Sequence, residues 1–173
     1  DFIATELDAA IADLPADYTS DPANTYRISK YGALALKSRA MLYAASSAKY
    51  GTYQLNGLVG ITPGLANEYW QKAMDAANEI ITSNQFSLYN ANADKASNFQ
   101  QLFLTAGNSE AIFTKVFNAA DKGHSFDFYN APQSFKIDYG CVTNPTLEMV
   151  EEYEYTDGSA GTLKIKDSAG NPI

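Results

Sequence analysis

Cysteine and histidine are almost missing from this chain: Cys141 and His124 are the only ones in 173 residues. A lone cysteine cannot close an internal disulfide or build a cysteine-based zinc site. A lone histidine excludes a multi-histidine metal site. Charge is also scarce. Charged residues make up 18% of the chain, against roughly 25% in an average soluble protein. The charge that is present leans acidic, with 12 Lys+Arg against 20 Asp+Glu and a net charge of −8. Nonspecific nucleic-acid binding needs phosphate-neutralising Lys and Arg, so that class is excluded, and an anionic membrane surface is disfavoured for the same reason. No apolar run approaches the roughly 18 residues that a membrane-spanning helix needs. There is no initiator Met and no charged segment leading into an apolar one, as a signal peptide would have. The alternating run at 161–167 reads as a strand, yet the chain stops at Ile173 with no partner strand. The chain therefore reads as a piece of a longer one, and the missing targeting segment carries no information about compartment.

What is present is apolar and aromatic. Hydrophobic residues reach 46% and aromatics 13%, with 12 Tyr, 9 Phe and 1 Trp. That composition excludes a disordered chain, and a chain of this length can form a domain without staples. The expected fold class is mainly α: helix pairs with irregular loops and a few short strands. Residues 1–90 form the helical-repeat part and 91–173 the loop-rich part of one incomplete domain.

Helical spacing of Ile3, Leu7, Ala10, Ile11 and Leu14 predicts a first helix over 2–14, ended by Pro15. The strongest helical pattern covers 29–48, with Ser29 as N-cap and Gly51 as terminator. Its interior is rich in small residues (Gly32, Ala33, Ala35, Ala40, Ala44, Ala45), with Leu36, Met41, Leu42 and Tyr43 between them. Gly32 costs up to about 1 kcal/mol of helix propensity relative to Ala, tolerable where another backbone comes close. A glycine-rich loop over 50–66 leads to a third helix at 67–83. Its predicted apolar face is Trp70, Ala73, Met74, Ala77, Ile80 and Ile81, with Tyr69 at the margin. Two similar helices joined by a loop have the format of a helical-repeat unit.

The second half changes character. Segments 86–89 and 110–117 look extended, and 99–104 reads as a short helix. Residues 118–143 form a long irregular stretch dense in aromatics, and long loops of this kind are commonly functional. Asn144 and Pro145 then suggest the N-cap and first position of a last helix, running to about Tyr155.

Little of this carries catalytic chemistry. His124, Ser125, Asp121 and Asp127 include the residue types of a hydrolase triad, but adjacency does not make triad geometry, and no nucleophile elbow is present. Glu148, Glu151 and Glu152 share a helix face, which reads as a solvated acidic surface rather than a glycosidase pair. Asn90, Asn92 and Asp94 imitate the start of a calcium loop without its glycine and closing Glu. No phosphate-binding loop or dinucleotide fingerprint occurs. Neither an enzyme nor a cofactor is expected.

The binding candidates lie in the aromatic loops. Phe128, Tyr129, Asn130, Gln133 and Tyr139 mix rings with amides, and Tyr50 and Tyr53 flank a second loop. An exposed ring offers a rigid apolar platform to the C–H face of a sugar, and amides orient its hydroxyls. The alternative reading is that Phe126, Phe128 and Phe135 anchor the loop from beneath and that Tyr50 and Tyr53 cap a helix end. Trp70 reads as core, and Cys141 as a small buried thiol.

Four stretches, in order, resemble the SusD/RagB family of bacterial cell-surface nutrient-binding lipoproteins. The first runs Arg27-Ile28-Ser29-Lys30-Tyr31-Gly32-Ala33-Leu34-Ala35-Leu36-Lys37-Ser38-Arg39-Ala40-Met41-Leu42-Tyr43-Ala44-Ala45. The second is Tyr69-Trp70-Gln71-Lys72-Ala73 through Ile80-Ile81 to Phe86-Ser87-Leu88-Tyr89. The third is Asn108-Ser109-Glu110-Ala111-Ile112-Phe113, and the fourth Asn144-Pro145-Thr146-Leu147 through Tyr153 to Asp157-Gly158. The resemblance implies a largely helical SusD-like fold of tetratricopeptide-like helix pairs, here lacking its lipidated amino-terminal part and a carboxy-terminal part. It implies location on the extracellular face of the outer membrane, held there by a lipid anchor outside this chain. It further implies capture of oligosaccharides for import through a SusC-like TonB-dependent transporter. A peptide-binding member of the family and a helical-repeat protein-interaction module are the alternatives. No family-wide ligand motif transfers residue by residue, so the candidate residues rest on local chemistry.

Overall fold

The computed structural model describes residues 2–118, 121–135, 140–163, 169 and 171. The fold is mainly helical. Among the described residues six α-helices follow one another: α1 (Phe2–Asp13), α2 (Lys30–Tyr50), α3 (Ala66–Thr82), α4 (Lys95–Leu104), α5 (Phe126–Asn130) and α6 (Leu147–Glu151). Among the described residues no helix is long and apolar enough to cross a membrane. The chain divides into two compact units, residues 1–116 and 117–173.

The first unit is built on α2. Ser29 caps it, accepting a hydrogen bond from the Gly32 N–H, and Gly51 ends it with its N–H on the Ser47 carbonyl. Helix α3 packs antiparallel against α2, as the cross-links between them require. Lys30 pairs with Glu79 at 2.7 Å, Leu34 clusters with Ala76 and Ile80, and Met41 and Ala45 cluster with Tyr69 and Ala73. Between those clusters Ser38 Oγ donates to the Ala73 carbonyl at 2.9 Å. A short side chain reaching a neighbouring helix backbone demands close approach, and Ala45, Ala48, Ala73 and Ala76 leave room for it. Helix α1 lies against α2, contributing buried Ala4 and an Asp8–Lys37 ion pair.

The face of α3 differs from the expected one. Buried positions are Ala66, Tyr69, Ala73, Ala76 and Ile80, a 3–4 spacing that runs one residue ahead of the predicted stripe. Tyr69 is core at 5% exposure, whereas Met74 and Ile81 are exposed. The alanines decide this, because only the small-residue edge of α3 can meet the small-residue edge of α2. Trp70 is half-buried against the Met41 cluster. Leu36, Leu42 and Tyr43 of α2 and Ile3 of α1 face solvent. A Cβ on Gly32 would meet Ile28 Cγ1 at 2.8 Å, with Phe113 Cβ next at 3.7 Å. Side chains, not a second backbone, occupy the space that glycine leaves.

The remainder of this unit is held by side-chain caps. Asp94 caps α4 by accepting from the Ser97 N–H at 2.8 Å. Hydrogen bonding from Ser97 holds its carboxyl below the usual value. At the other end Asn108 Nδ2 donates to the Leu102 and Thr105 carbonyls, both at 2.9 Å. Asn108 Oδ1 accepts from the Glu110 N–H, and Glu110 accepts from the Tyr89 N–H at 2.9 Å. The Asn-Ser-Glu stretch thus ties helix α4 to segment 86–89. Helix α4 starts four residues earlier than predicted because Asp94 supplies the cap. Segments 86–89 and 110–117 form no ladder. Among the described residues the β pairings are isolated bridges, Gln54 with Val59 and Asn118 with Lys122. The strand expected at 161–167 falls largely outside the described residues.

In the second unit α6 begins later than expected. Thr146, not Asn144, is its cap, accepting from the Met149 N–H at 3.3 Å. Pro145 therefore sits before the cap, where its missing N–H and fixed φ cost nothing. The helix ends at Glu151, and a turn follows in which Asp157 accepts hydrogen bonds from the Ser159 N–H and Oγ.

Candidate functional site

Most of the predicted ligand residues lie in the second unit, on or beside α5. The backbone there is pinned to the segment that follows it. The Cys141 N–H donates to the Phe128 carbonyl at 2.8 Å, and the Thr143 N–H to the Tyr129 carbonyl at 3.0 Å. Cys141 itself is 2% exposed and has a left-handed φ of 59°. Its thiol is the buried small side chain expected.

The two amides serve this framework first. Gln133 Nε2 donates to the Cys141 carbonyl at 2.6 Å, and Asn130 Nδ2 donates to the Phe126 carbonyl at 2.8 Å. The amide nitrogens are thus engaged in structure. An amide oxygen accepts two hydrogen bonds, so Asn130 Oδ1 and Gln133 Oε1 keep acceptor capacity for a ligand donor. Beside them the Phe128 and Tyr129 rings meet edge to face, with centroids 5.0 Å apart and planes at 80°. Phe128 is half-buried and Tyr129 is exposed. One ring is supported from the side by the other, and the supported ring presents surface to solvent. Chemically this arrangement offers an apolar platform and hydrogen-bond acceptors, which suits a neutral polyol. Tyr139 lies outside the described residues.

The reading that Phe126 and Phe135 anchor the loop from beneath does not hold for these two rings. They are 63% and 71% exposed instead. Five-residue α5 and the single turn Gln133–Phe135 provide too little surface to cover them, and backbone and amide hydrogen bonds do the anchoring. Position-by-position composition cannot reveal that substitution of polar for apolar anchoring.

Tyr50 and Tyr53 belong to the first unit and form a separate candidate. Tyr50 is the last residue of α2 and is 78% exposed. Tyr53 lies over its own loop: a Cβ on Gly57, whose φ is +92°, would meet Tyr53 Oη at 2.9 Å. Tyr53 thus helps to define the 54–59 turn, and Tyr50 is the freer ring.

The other chemistry-bearing groups are engaged locally. His124 sits edge-on to Phe117 with centroids 4.7 Å apart, and its Nδ1 accepts from the Phe126 N–H at 3.2 Å. Asp121 accepts from Asn118 Nδ2. These contacts do not assemble a Ser-His-Asp relay. In the calcium-like run, Asn90 accepts from Lys95, Asn92 from the Asp94 N–H, and Asp94 from Ser97. The pattern is spent on starting α4.

Sequence reasoning passed over a cleft of about 620 Å³ in the first unit, lined by residues from 16–29, 85–86 and 106–116. Its walls come from three separate loops, so no single stretch announces it. Comparison of the chain with protein-family models, curated proteins and solved structures finds no match to any of them.

Proposed function

We propose that this chain is part of a cell-surface nutrient-binding protein of the SusD/RagB type. It captures oligosaccharides on the extracellular face of the outer membrane, anchored by lipid outside this chain, for import through a SusC-like TonB-dependent transporter. The binding involves no covalent chemistry. The observation that carries the reading is the placement of the resembling stretches on the fold's own joints. The first forms α2 and its Ser29 cap, the second forms α3, the third ties α4 to segment 86–89, and the fourth caps α6. The ligand platform is Tyr129 backed by Phe128, with Asn130 and Gln133 oxygens accepting from sugar hydroxyls.

A glycan array on the full-length protein identifies a neutral oligosaccharide, and calorimetry with that glycan then compares wild type with Tyr129→Ala and Tyr139→Ala. A stacked ring contributes on the order of 1 kcal/mol, so each variant binds several-fold more weakly. Unchanged affinity in both variants removes the ligand segment, and no binding to any glycan removes the oligosaccharide reading.

A second reading, a helical module for a protein partner, is favoured by one feature. Leu36, Tyr43 and Tyr50 are all exposed and recur every seven residues, two turns, on one face of α2. Partner binding lost in Tyr43→Ala, with glycan binding absent in wild type, decides for it.

A further inference from the structure

We infer that the cleft of the first unit is a second binding site, one that takes a sugar acid: a saccharide whose carboxylate is held by the Arg27 guanidinium.

The argument begins with charge. The chain carries 20 acidic and 12 basic residues, and some of its basic side chains sit on carboxylates. Lys30, Lys37 and Lys72 each have such a partner. Arg27 lines the cleft and has neither an ion pair nor a side-chain hydrogen bond among the described residues. A guanidinium presents a planar fork that matches a carboxylate with two parallel hydrogen bonds.

The lining then limits the anion. Arg27 is the one basic residue of the cleft and Asp17 the one acidic residue. Asp17 forms no ion pair with Arg27 among the described residues; its Oδ1 accepts from the Thr19 N–H at 2.8 Å and from Thr19 Oγ1 at 2.6 Å. Those bonds also hold its carboxyl below the usual value, so it stays negative. One cation beside a fixed anion suits a monoanion and disfavours a phosphate dianion, which would face Asp17 with too little compensation.

The rest of the lining limits the body that carries the carboxylate. Tyr26 and Phe113 are 68% and 53% exposed, and both line the cleft. They offer rings to a C–H face. Ser29 Oγ accepts from the Gly32 N–H at 3.4 Å, which leaves its hydroxyl hydrogen to donate. The Tyr26 hydroxyl and Thr114 Oγ1 add polar atoms beside the rings. Rings, hydroxyls and one guanidinium fit a saturated ring bearing hydroxyls and a single carboxylate. A volume of about 620 Å³ lies within the ~300–1,000 Å³ range of small-ligand sites.

Calorimetry on the full chain with three probes tests this: galacturonic acid, galactose and benzoate. Galacturonic acid, which carries one carboxylate, is expected to bind at least tenfold more tightly than galactose at this cleft. Its affinity is expected to fall roughly tenfold or more in Arg27→Gln, to recover in part in Arg27→Lys, and to weaken as salt is raised. Tyr26→Ala weakens it as well, while Tyr129→Ala leaves it unchanged, which separates this site from the neutral-glycan segment. Circular dichroism checks that the variants fold. Equal binding of galactose, an Arg27→Gln variant as tight as wild type, or no binding of galacturonic acid overturns the carboxylate assignment. Benzoate binding as tightly as galacturonic acid overturns the sugar.

Discussion

The two units solve the same problem with different means. In residues 1–116, α1, α2 and α3 bury Ala4, Ala33, Leu34, Met41, Ala45, Ala48, Ala66, Tyr69, Ala73, Ala76 and Ile80. Alanine dominates that set, so the stability comes from backbones that approach closely around a few large side chains. In the second unit the buried hydrophobic side chain among the described residues is Cys141. Order there comes from directed hydrogen bonds: Gln133 to the Cys141 carbonyl, Asn130 to the Phe126 carbonyl, and Thr143 to the Tyr129 carbonyl. Close packing tolerates neither cavity nor excess volume. Hydrogen-bonded loops leave aromatic rings at the surface, where a ligand can reach them.

The sharpest way to break this contrast is to remove a large core side chain. Met41 is 3% exposed, and Met41→Ala is expected to lower stability by about 2–5 kcal/mol. The matched change in the second unit, Phe135→Ala, is expected to stay within about 0.5 kcal/mol because that ring is exposed. Chemical denaturation of both variants checks the pair. Equal losses would mean that Phe135 is core and that the contrast is false. Overfilling the α2–α3 seam tests it from the other side. Ala45 is fully buried, and Ala45→Leu should cost about 1–3 kcal/mol through strain.

The second unit has its own weak point in its backbone. Gly161 is buried, and a Cβ there would overlap the Tyr153 carbonyl. Gly161→Ala is expected to cost roughly 1–3 kcal/mol, confined to 153–163. Amide hydrogen exchange would show lost protection there with α2 and α3 unchanged. Loss of protection in α2 would instead couple the two units.

The same contrast explains what was legible from sequence. Helix α2 was readable to within two residues because Ser29 and Gly51 mark its ends by local chemistry. The existence of α3 was readable from periodicity. Its buried face was not, because the choice between the Trp70–Ala73–Met74 edge and the Tyr69–Ala73–Ala76 edge depends on the shape of α2. In the second unit, aromatic density drew attention to Phe128 and Tyr129. Density does not say which rings are covered: of the three candidate anchors Phe128 is half-buried, whereas Phe126 and Phe135 are exposed. Nor could sequence order show that 16–29 and 106–116 line one cleft.

A smaller effect concerns how α2 starts. Ser29→Ala removes the acceptor for the Gly32 N–H and should cost about 1 kcal/mol. A thermal melt reads it, and Ser29→Asp should restore most of the loss. An unaffected Ser29→Ala variant would mean that the Lys30 N–H bond to the Pro15 carbonyl, 2.8 Å long, suffices to set that end.

The smallest effect is the pH response, and it separates the units by sign. Asp17 and Asp94 in the first unit and Asp157 in the second have carboxyls held low by hydrogen bonds from Thr19, Ser97 and Ser159. A lowered folded value means that the stabilisation is complete above the ordinary 3.8 and fades as pH falls through the lowered value. Acid therefore weakens both units. Lys30 and Lys72 move the other way: hydrogen bonds to Glu79 and Glu68, with their attraction, raise both ammonium groups above the ordinary 10.5. That stabilisation is complete below 10.5 and is lost as pH rises through the raised values. Both lysines belong to the α2–α3 pair, so the alkaline loss belongs to the first unit. Exposed pairs of this kind contribute little, so the expected change is a shallow slope in melting temperature above pH 10.5. Glu79→Gln should flatten that slope, and a slope that persists in Glu79→Gln and Glu68→Gln alike would place its origin outside the Lys30 and Lys72 pairs.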